Sequence, residues 1–276
     1  MMANLDWSAQ PETPLVVNGA TLEYTCYGPP PDQAPTIVML HEGLGCVALW
    51  RDFPQRVAER TGMGVFVYSR QGYGQSDPAE LPRPLDFMTH EAMDVLPQVL
   101  DQIGFRRGIL FGHSDGATIA AIYTGSVADH RVRGLIVMAP HFFTEDSGLA
   151  EIAKAKAAFD AGDLKARMAK YHRDPEGAFR GWNDTWLAPG FKDWNVAEVI
   201  DYIRIPVLAI QGRDDQYGTQ AQIEEIENRI YSPVDVEILD ACKHVPHHEQ
   251  PDLTLNAIAG FAMRLERIET AEVVPQ

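Results

Sequence analysis

The chain lacks several features that would assign it to common protein classes. Its 276 residues include only three cysteines, Cys26, Cys46 and Cys242, which are too few for a disulfide framework. No apolar run approaches the roughly 18–20 residues that a membrane-spanning helix needs. The first residues lack the basic and apolar regions of a secretion signal. We therefore expect reduced thiols, a cytoplasmic location and no membrane partner.

Basic side chains are also scarce. The chain has 23 Lys and Arg residues against 39 Asp and Glu residues, which gives a formal net charge of −16. Nucleic acids and anionic membranes are bound mainly through Lys and Arg, so the sequence predicts neither partner. An anionic small molecule stays compatible with this balance, because a local field can oppose the total charge.

Internal repeats, low-complexity tracts and flexible linkers are absent, which favours one domain with an insertion. Predicted strands alternate with predicted helices, and this pattern predicts an α/β fold, a mainly parallel sheet with helices on both faces. The predicted strands are Leu15–Val17, Thr21–Tyr27, Thr36–Leu40, Gly64–Tyr68, Arg107–Phe111, Gly134–Met138, Val207–Gln211 and Val234–Leu239. The predicted helices are Trp50–Thr61, Thr89–Ile103, Asp115–Ser126, Ala150–Phe159, Thr219–Ile230 and Leu253–Ile268.

The most informative motif is Gly-His-Ser-Asp-Gly at residues 112–116. It lies between an apolar strand and a helix-like stretch, and a strand that enters a helix through Gly-x-Ser-x-Gly is typical of a nucleophile elbow. Its glycines, Gly112 and Gly116, avoid collisions with the neighbouring strand and helix. The alternative is a glycine-rich turn with an uninvolved serine. The strand–turn–helix context favours Ser114 as a nucleophile.

A nucleophilic serine needs a base, and that base needs a carboxylate that fixes its tautomer. On this architecture the chain order is serine, acid, histidine. Asp214 and Asp215 follow one predicted strand, and His244 follows the next. The carboxyl ends of parallel strands carry the ligand site of such folds, so these residues are predicted to meet Ser114.

With these residues in order, the chain resembles the α/β-hydrolase fold superfamily, in its single-domain, lidded serine-hydrolase branch. The resemblance covers nearly the whole chain and rests on four further features, which are the strand Thr36–His41, the loop Glu42–Gly45 with Trp50 after it, the turn Tyr68–Asp77 and the ending His244–Pro251. Ser69 and Gln71 depart from the usual Asp and Arg. Glu42 replaces the glycine after the histidine, beside the site.

The resemblance implies an α/β-hydrolase sheet of the eight-stranded type and further site residues. The acid is expected three residues after the strand-terminal Gly212, which selects Asp215, and Asp214 is then expected to accept local backbone N–H groups. The oxyanion hole would consist of the N–H groups of Gly43 and Asp115. No cofactor is implied.

The resemblance also implies a helical cap over the active site. The core domain is predicted at residues 1–141 and 204–276, and the cap at residues 142–203, which are rich in helix and aromatic side chains. Most of these aromatics are expected to attach the cap to the body. Phe142, Trp186 and His141 are candidates for contact with the substrate, since pockets are mostly apolar and aromatic.

A crowded group of histidines near the C-terminus suggests a metal site. His247, His248 and Glu249 follow His244 closely, but Pro246 interrupts any helix that would align two histidines on one face. A second set of ligands at fixed spacing is missing. We therefore predict no metal, and we expect His247 and His248 to be structural or exposed.

The predicted activity is hydrolysis of a small to medium carboxylic ester through an acyl-enzyme. One alternative is a C–C bond hydrolase of ring-cleavage products, which the residues Val245 and Glu42–Gly45 fit poorly. A second is a ligand-binding receptor on the same fold with very slow turnover. Ser114 excludes a dehalogenase, which needs a carboxylate nucleophile. The acyl and alcohol groups and the oligomeric state, including a homo-oligomer, stay open.

Overall fold

The computed structural model describes residues 5–271. Its strands are β1 Leu15–Val17, β2 Ala20–Leu22, β3 Tyr24–Tyr27, β4 Thr36–Leu40, β5 Gly64–Tyr68, β6 Gly108–His113, β7 Val132–Met138, β8 Val207–Gly212 and β9 Val234–Leu239. Its α-helices are α1 Phe53–Thr61, α2 Phe87–His90, α3 Leu96–Gln102, α4 Asp115–Ser126, α5 Asp146–Asp160, α6 Asp163–Met168, α7 Pro175–Trp186, α8 Ala221–Arg229, α9 Pro246–Glu249 and α10 Pro251–Thr270. None of the helices in this part of the chain is long and apolar enough to cross a membrane.

A seven-stranded sheet forms the centre of the molecule, in the order β3-β5-β4-β6-β7-β8-β9. Every pair is parallel except β3 with β5. The residues of β4, β5, β6 and β8 are buried throughout, because helices cover both faces of the sheet. The predicted α/β-hydrolase type of sheet is therefore confirmed.

The strand predicted at Thr21–Tyr27 is divided at Glu23. The central sheet has seven strands rather than eight, because β1 and β2 form a separate sheet. The Glu23 carboxylate accepts hydrogen bonds from the Ser69 hydroxyl at 2.6 Å and from the Gln75 N–H at 3.0 Å. Because these bonds hold Glu23 against the turn after β5, only β3 joins the central sheet. The preceding β2 pairs with β1 in a separate hairpin.

The sheet has a hydrophobic core on each face. One core contains apolar side chains of α1 and α10, and the other contains side chains of α3, α4 and α8. α4 packs on one face of the sheet, and its residues from Asp115 to Tyr123 are all buried. The first residues of α4 are therefore fixed by packing on several sides.

Two predicted helices differ from the observed ones. The helix predicted at Thr89–Ile103 consists of α2, a π-helical stretch at Glu91–Val95 and α3. Pro97, in the first turn of α3, has no N–H to continue the α-helical ladder, which accounts for the break. The helix predicted from Trp50 is a 3₁₀ turn at Val47–Trp50, and α1 begins at Phe53, just before Pro54.

Residues 139–206, here called the insert, connect β7 to β8 and contain α5, α6 and α7. Phe159 of α5 stacks on Phe179 of α7 with ring centroids 3.9 Å apart, and His172 between α6 and α7 contacts the body. Its ring donates to the Leu44 carbonyl at 3.1 Å and accepts from the Gly74 N–H at 3.0 Å. The division into a core and a cap at residues 142–203 stays a prediction.

Candidate active site

The turn between β6 and α4 holds Ser114 in a backbone conformation that few residues adopt, with φ at 54°. A Cβ atom at Gly116 would overlap the Leu40 carbonyl, and one at Gly112 would overlap the Gly116 carbonyl. Both glycines are therefore required where the sequence predicts them. The turn projects the Ser114 side chain at the carboxyl edge of the sheet.

The ring of His244 joins Ser114 to Asp215. Its Nε2 atom lies 3.0 Å from the Ser114 hydroxyl oxygen, and its Nδ1 atom lies 2.8 Å from Asp215 Oδ2. Since a carboxylate only accepts, Nδ1–H is the donor to Asp215, and Nε2 of the neutral ring is left to accept from the serine. The three predicted residues thus form one hydrogen-bonded row; their catalytic roles stay a prediction.

The environment of Asp215 keeps its carboxylate ionised. Burial raises the pKa of this carboxyl, but the neighbouring His244 ring and the Tyr217 N–H outweigh burial and lower it. Gln211 Nε2 donates to the same carboxylate at 2.9 Å. Asp214 is exposed, and its side chain makes no hydrogen bond within residues 5–271. The prediction that Asp214 accepts local N–H groups is therefore wrong, because its side chain points to solvent.

The loop after β4 lies opposite the elbow and is braced by Arg70. This buried guanidinium donates to the carbonyls of His41 and Glu42. His41 is buried as well, with Nδ1 donating to the Glu42 carbonyl and Nε2 accepting from the Arg70 N–H at 3.0 Å. These contacts fix the loop so that Gly43 lines the cavity beside Ser114. The Arg70 N–H and guanidinium thus explain how the turn Tyr68–Asp77 supports the site.

Glu42, the departure noted in the sequence, faces His113. Its Oε2 atom lies 3.6 Å from Nδ1 of the fully buried His113 ring. The other ring nitrogen, Nε2, donates to the His244 carbonyl at 2.7 Å. Burial raises the pKa of the Glu42 carboxyl, and the His113 ring opposes burial and lowers the pKa overall. A negative charge therefore lies beside the loop that carries Gly43.

Above these residues lies a cavity of about 180 Å³ between the body and the insert. Its volume is similar to that of an engineered cavity of roughly 150 Å³ that binds benzene in another protein. The lining residues are Glu42, Gly43, Leu44, Ser114, Asp115, His141, Glu145, Gly148, Leu149, Ile152, Trp182, Trp186, Tyr217, His244 and Val245. The cavity suits a small to medium ligand with an apolar part.

Two of the three predicted pocket residues line this cavity. Trp186 does so, and its buried indole N–H has no partner within residues 5–271. His141 does so too, and burial and the neighbouring His244 lower its pKa to about 3, which keeps it neutral. Phe142 does not, and that prediction is corrected. Its side chain is 1% exposed and lies in the hydrophobic core, with its N–H bonded to Gln222.

Sequence reasoning missed two aromatic walls of the cavity, Trp182 and Tyr217. Trp182 lies so close to Gly43 that a Cβ atom there would overlap the indole ring, and the Tyr217 ring packs on His244 with centroids 4.8 Å apart. Trp182 lies four residues before Trp186 on the same helix, which places both on one face. This four-residue spacing was the sequence signal from which Trp182 could have been predicted beside Trp186. Nothing in the local sequence indicated Tyr217.

Of the two histidines that follow His244 closely, His247 has a packing role. His247 is buried against Trp50, with ring centroids 4.6 Å apart, and against Phe53 at 5.5 Å. Within residues 5–271, no group of three or more His, Cys, Asp or Glu side chains is arranged to hold a metal ion.

Comparisons with known proteins identify the family of the chain. A model of the alpha/beta hydrolase family matches residues 37–257. A sequence comparison with curated proteins finds no significant match.

Solved structures with this fold include hydrolases of several kinds. An enol-lactonase from Burkholderia xenovorans LB400 is 20% identical, with 90% of this chain and 99% of that chain covered and a TM-score of 0.71. A structure from a study of carboxylesterases of Nitrososphaera gargenis is 17% identical, with 93% and 100% covered and a TM-score of 0.72. Est816, described as an N-acyl homoserine lactone degrading enzyme, is 22% identical, with 90% and 100% covered and a TM-score of 0.69. At these identities the likeness concerns the fold. The family model covers most of the chain, and the protein therefore belongs to the alpha/beta hydrolase family and is a hydrolase.

Proposed function

We propose that this hydrolase cleaves a small to medium carboxylic ester through an acyl-enzyme formed on Ser114. The observation that carries the proposal is the row of hydrogen bonds from Ser114 to His244 to Asp215, with distances of 3.0 and 2.8 Å. A neutral histidine held by a carboxylate is the base that a serine hydroxyl needs at neutral pH.

In the first half of the reaction, His244 Nε2 takes the proton of Ser114 while the hydroxyl oxygen attacks the ester carbonyl carbon. Asp215 keeps the ring in the required tautomer and stabilises its cation. The C–O bond to the alcohol then breaks, and the alcohol leaves with the proton held by His244. In the second half, water repeats these steps on the acyl-enzyme and releases the acid.

Negative charge on the carbonyl oxygen would be stabilised by the N–H groups of Asp115 and Gly43. The Asp115 N–H belongs to the first turn of α4, so it has no acceptor within the helix and lies at the positive end of the helix dipole. Gly43 lies on the opposite side of the same cavity. Removal of one such donor typically costs about 10²–10³ in kcat.

The ester class is supported by the chemistry named for the structural neighbours. They are named as an enol-lactonase, carboxylesterases and an N-acyl homoserine lactone degrading enzyme. Each of these names refers to an open or a cyclic ester. Hydrolysis of either kind is the same acyl transfer to water. The insert above Ser114 would act as a cap that limits the size of the acyl group.

The test is hydrolysis of a p-nitrophenyl ester series of increasing acyl length. Ser114→Ala is expected to lower kcat by about 10⁴-fold or more, because nucleophile and base act as a unit. Ser126→Ala, an exposed serine at the end of the same helix, is the matched control and should retain the rate. A serine-directed organophosphonate should label the wild-type and the Ser126→Ala protein and spare Ser114→Ala.

Two results would contradict the proposal. A folded Ser114→Ala protein that keeps more than about a tenth of the activity would remove the serine from the mechanism. One slow turnover per molecule across the series would favour the ligand-binding receptor instead.

A further inference from the structure

Asp115, the residue directly after Ser114, is one of the residues that line the cavity. Its side chain is 1% exposed, and neither carboxylate oxygen has a hydrogen-bond partner within residues 5–271. A buried carboxylate without a partner costs several kcal/mol. Such an orphaned group at the wall of a cavity indicates that a ligand supplies the missing partner.

The nearest buried cations do not fill this role. Arg70 donates to the carbonyls of His41 and Glu42, and Arg83 donates to the Gln71 carbonyl. Within the described part of the chain, neither guanidinium lies within 4.0 Å of the Asp115 carboxylate. Burial raises the pKa of Asp115 to about 6 although both arginines lower it. The protein therefore leaves this carboxylate incompletely neutralised.

The remaining walls of the cavity also favour a cation. Glu42 and Glu145 also line the cavity, although Glu42 faces His113 and Glu145 accepts hydrogen bonds from Thr219 and Gln222. No Lys or Arg from residues 5–271 lines the cavity. His141 is neutral at pH 7, since burial lowers its pKa to about 3. The aromatic walls Trp182 and Trp186 offer ring faces that attract cations. An acyl group with its own carboxylate would meet repulsion here.

We propose that the acyl part of the substrate carries a protonated amine close to the scissile carbonyl, and that the Asp115 carboxylate binds it. The proposal rests on the proposed ester hydrolysis. Asp115 directly follows the nucleophile, so a cation that it binds lies near the carbon next to the carbonyl, as in an α-amino acid ester. The amine takes no part in bond breaking. Water and the ester give the free amino acid and the alcohol.

The experiment compares two esters that differ only in the amine, phenylalanine ethyl ester and ethyl 3-phenylpropionate, at pH 7. The α-amino group of a chain terminus has a pKa of about 7.7–8.0. The electron-withdrawing ester lowers the pKa of the amine in an amino ester, and a substantial part of the amine is still protonated at pH 7. We expect kcat/KM for the amino ester to exceed that for the neutral ester by about 10–100-fold, as for a hydrogen bond to a charged group. Asp115→Asn should reduce this ratio to about three or less. The two kcat/KM values are measured with the same protein. A change in the oxyanion hole affects both esters equally and therefore cancels from their ratio. Asp214→Asn, an exposed neighbour of Asp215, should leave the ratio unchanged.

Binding to Ser114→Ala protein reports on the inference without turnover. Calorimetric titration should give a dissociation constant for the amino ester at least about tenfold lower than for the neutral ester. Equal binding, or a wild-type ratio of one or less, overturns the inference, and so does an Asp115→Asn protein with the wild-type ratio. Hydrolysis of the neutral ester alone would overturn the inference and leave the proposed function intact. Failure to hydrolyse either ester, with selective binding retained, would overturn the proposed function alone.

Discussion

At the scale of single residues, the hydrogen bonds of His244 decide which nitrogen carries the proton. Nδ1–H is held by Asp215, so Nε2 can accept from Ser114. Asparagine at position 215 preserves the shape of the side chain but offers an amide that can donate to Nδ1. This would place the ring proton on Nε2 and remove the base.

Asp215→Asn should therefore lower kcat by about 10³–10⁴ with little change in KM. Asp214→Asn is the control, since its exposed carboxylate makes no hydrogen bond within residues 5–271. Its activity should be retained, and its free energy of unfolding should change by no more than about 0.5 kcal/mol. Steady-state kinetics and urea unfolding of both proteins test this. A larger kcat loss in Asp214→Asn would transfer the role of acid to that residue.

The hydrogen-bonded row was predictable from sequence because each member follows a recognisable strand. The surroundings of the Asp115 side chain were not predictable, because the motif specifies only the backbone at that position. The pairing of Glu42 with His113 and the contact of Tyr217 with His244 depend on distant segments of chain. Such contacts have no periodic signal in the sequence.

At the scale of elements, the junction of β6 and α4 depends on a close backbone approach. Gly116 lies where the first turn of α4 passes the end of β4, and a Cβ atom there would overlap the Leu40 carbonyl. A backbone carbonyl in a central strand cannot move away as a flexible side chain would. The elbow and the sheet therefore constrain each other.

We expect Gly116→Ala to lower the free energy of unfolding by several kcal/mol, because overpacking a rigid site forces backbone shifts. Gly260→Ala in α10 is the matched control, since a Cβ atom there meets nothing within 4 Å. It should stabilise the protein by about 0.5–1 kcal/mol through helix propensity. Urea unfolding compares the two proteins. Similar stability changes in both would show that the junction tolerates a larger residue.

The buried strands were predictable to within a residue or two because their apolar runs are continuous and bounded by turn residues. Thr36–Leu40 and Gly64–Tyr68 are reproduced without change. Prediction failed at Glu23 and in the stretch Glu91–Val95. There a side-chain contact and a proline override the local periodicity.

At the scale of the whole molecule, four buried histidines resist protonation. They are His41, His141, His172 and His247, and burial is the main cause that lowers the pKa of each. In the unfolded chain a histidine has a pKa of about 6.5. Below that pH the unfolded state binds more protons than the folded state, because the buried rings stay neutral. Stability is therefore complete above pH 6.5 and falls as the pH decreases.

Each buried histidine is expected to lower the free energy of unfolding by up to about 1.4 kcal/mol for each pH unit below 6.5. Urea unfolding at pH 8, 7, 6 and 5 should show a loss of several kcal/mol between pH 7 and 5. His247→Phe preserves the packing on Trp50. It should reduce the dependence of the free energy of unfolding on pH by the contribution of one histidine. His130→Gln is the control, because His130 is exposed. A slope that is unchanged in His247→Phe would contradict this account.

The overlap between position 43 and Trp182 has an evolutionary consequence. The two positions belong to separate stretches of the gene, yet they share one volume. A lineage that enlarges residue 43 must first accept a smaller residue at 182, and a lineage that keeps the indole retains glycine. The body and the insert therefore cannot diverge independently at this point, and the two positions are expected to change together among relatives.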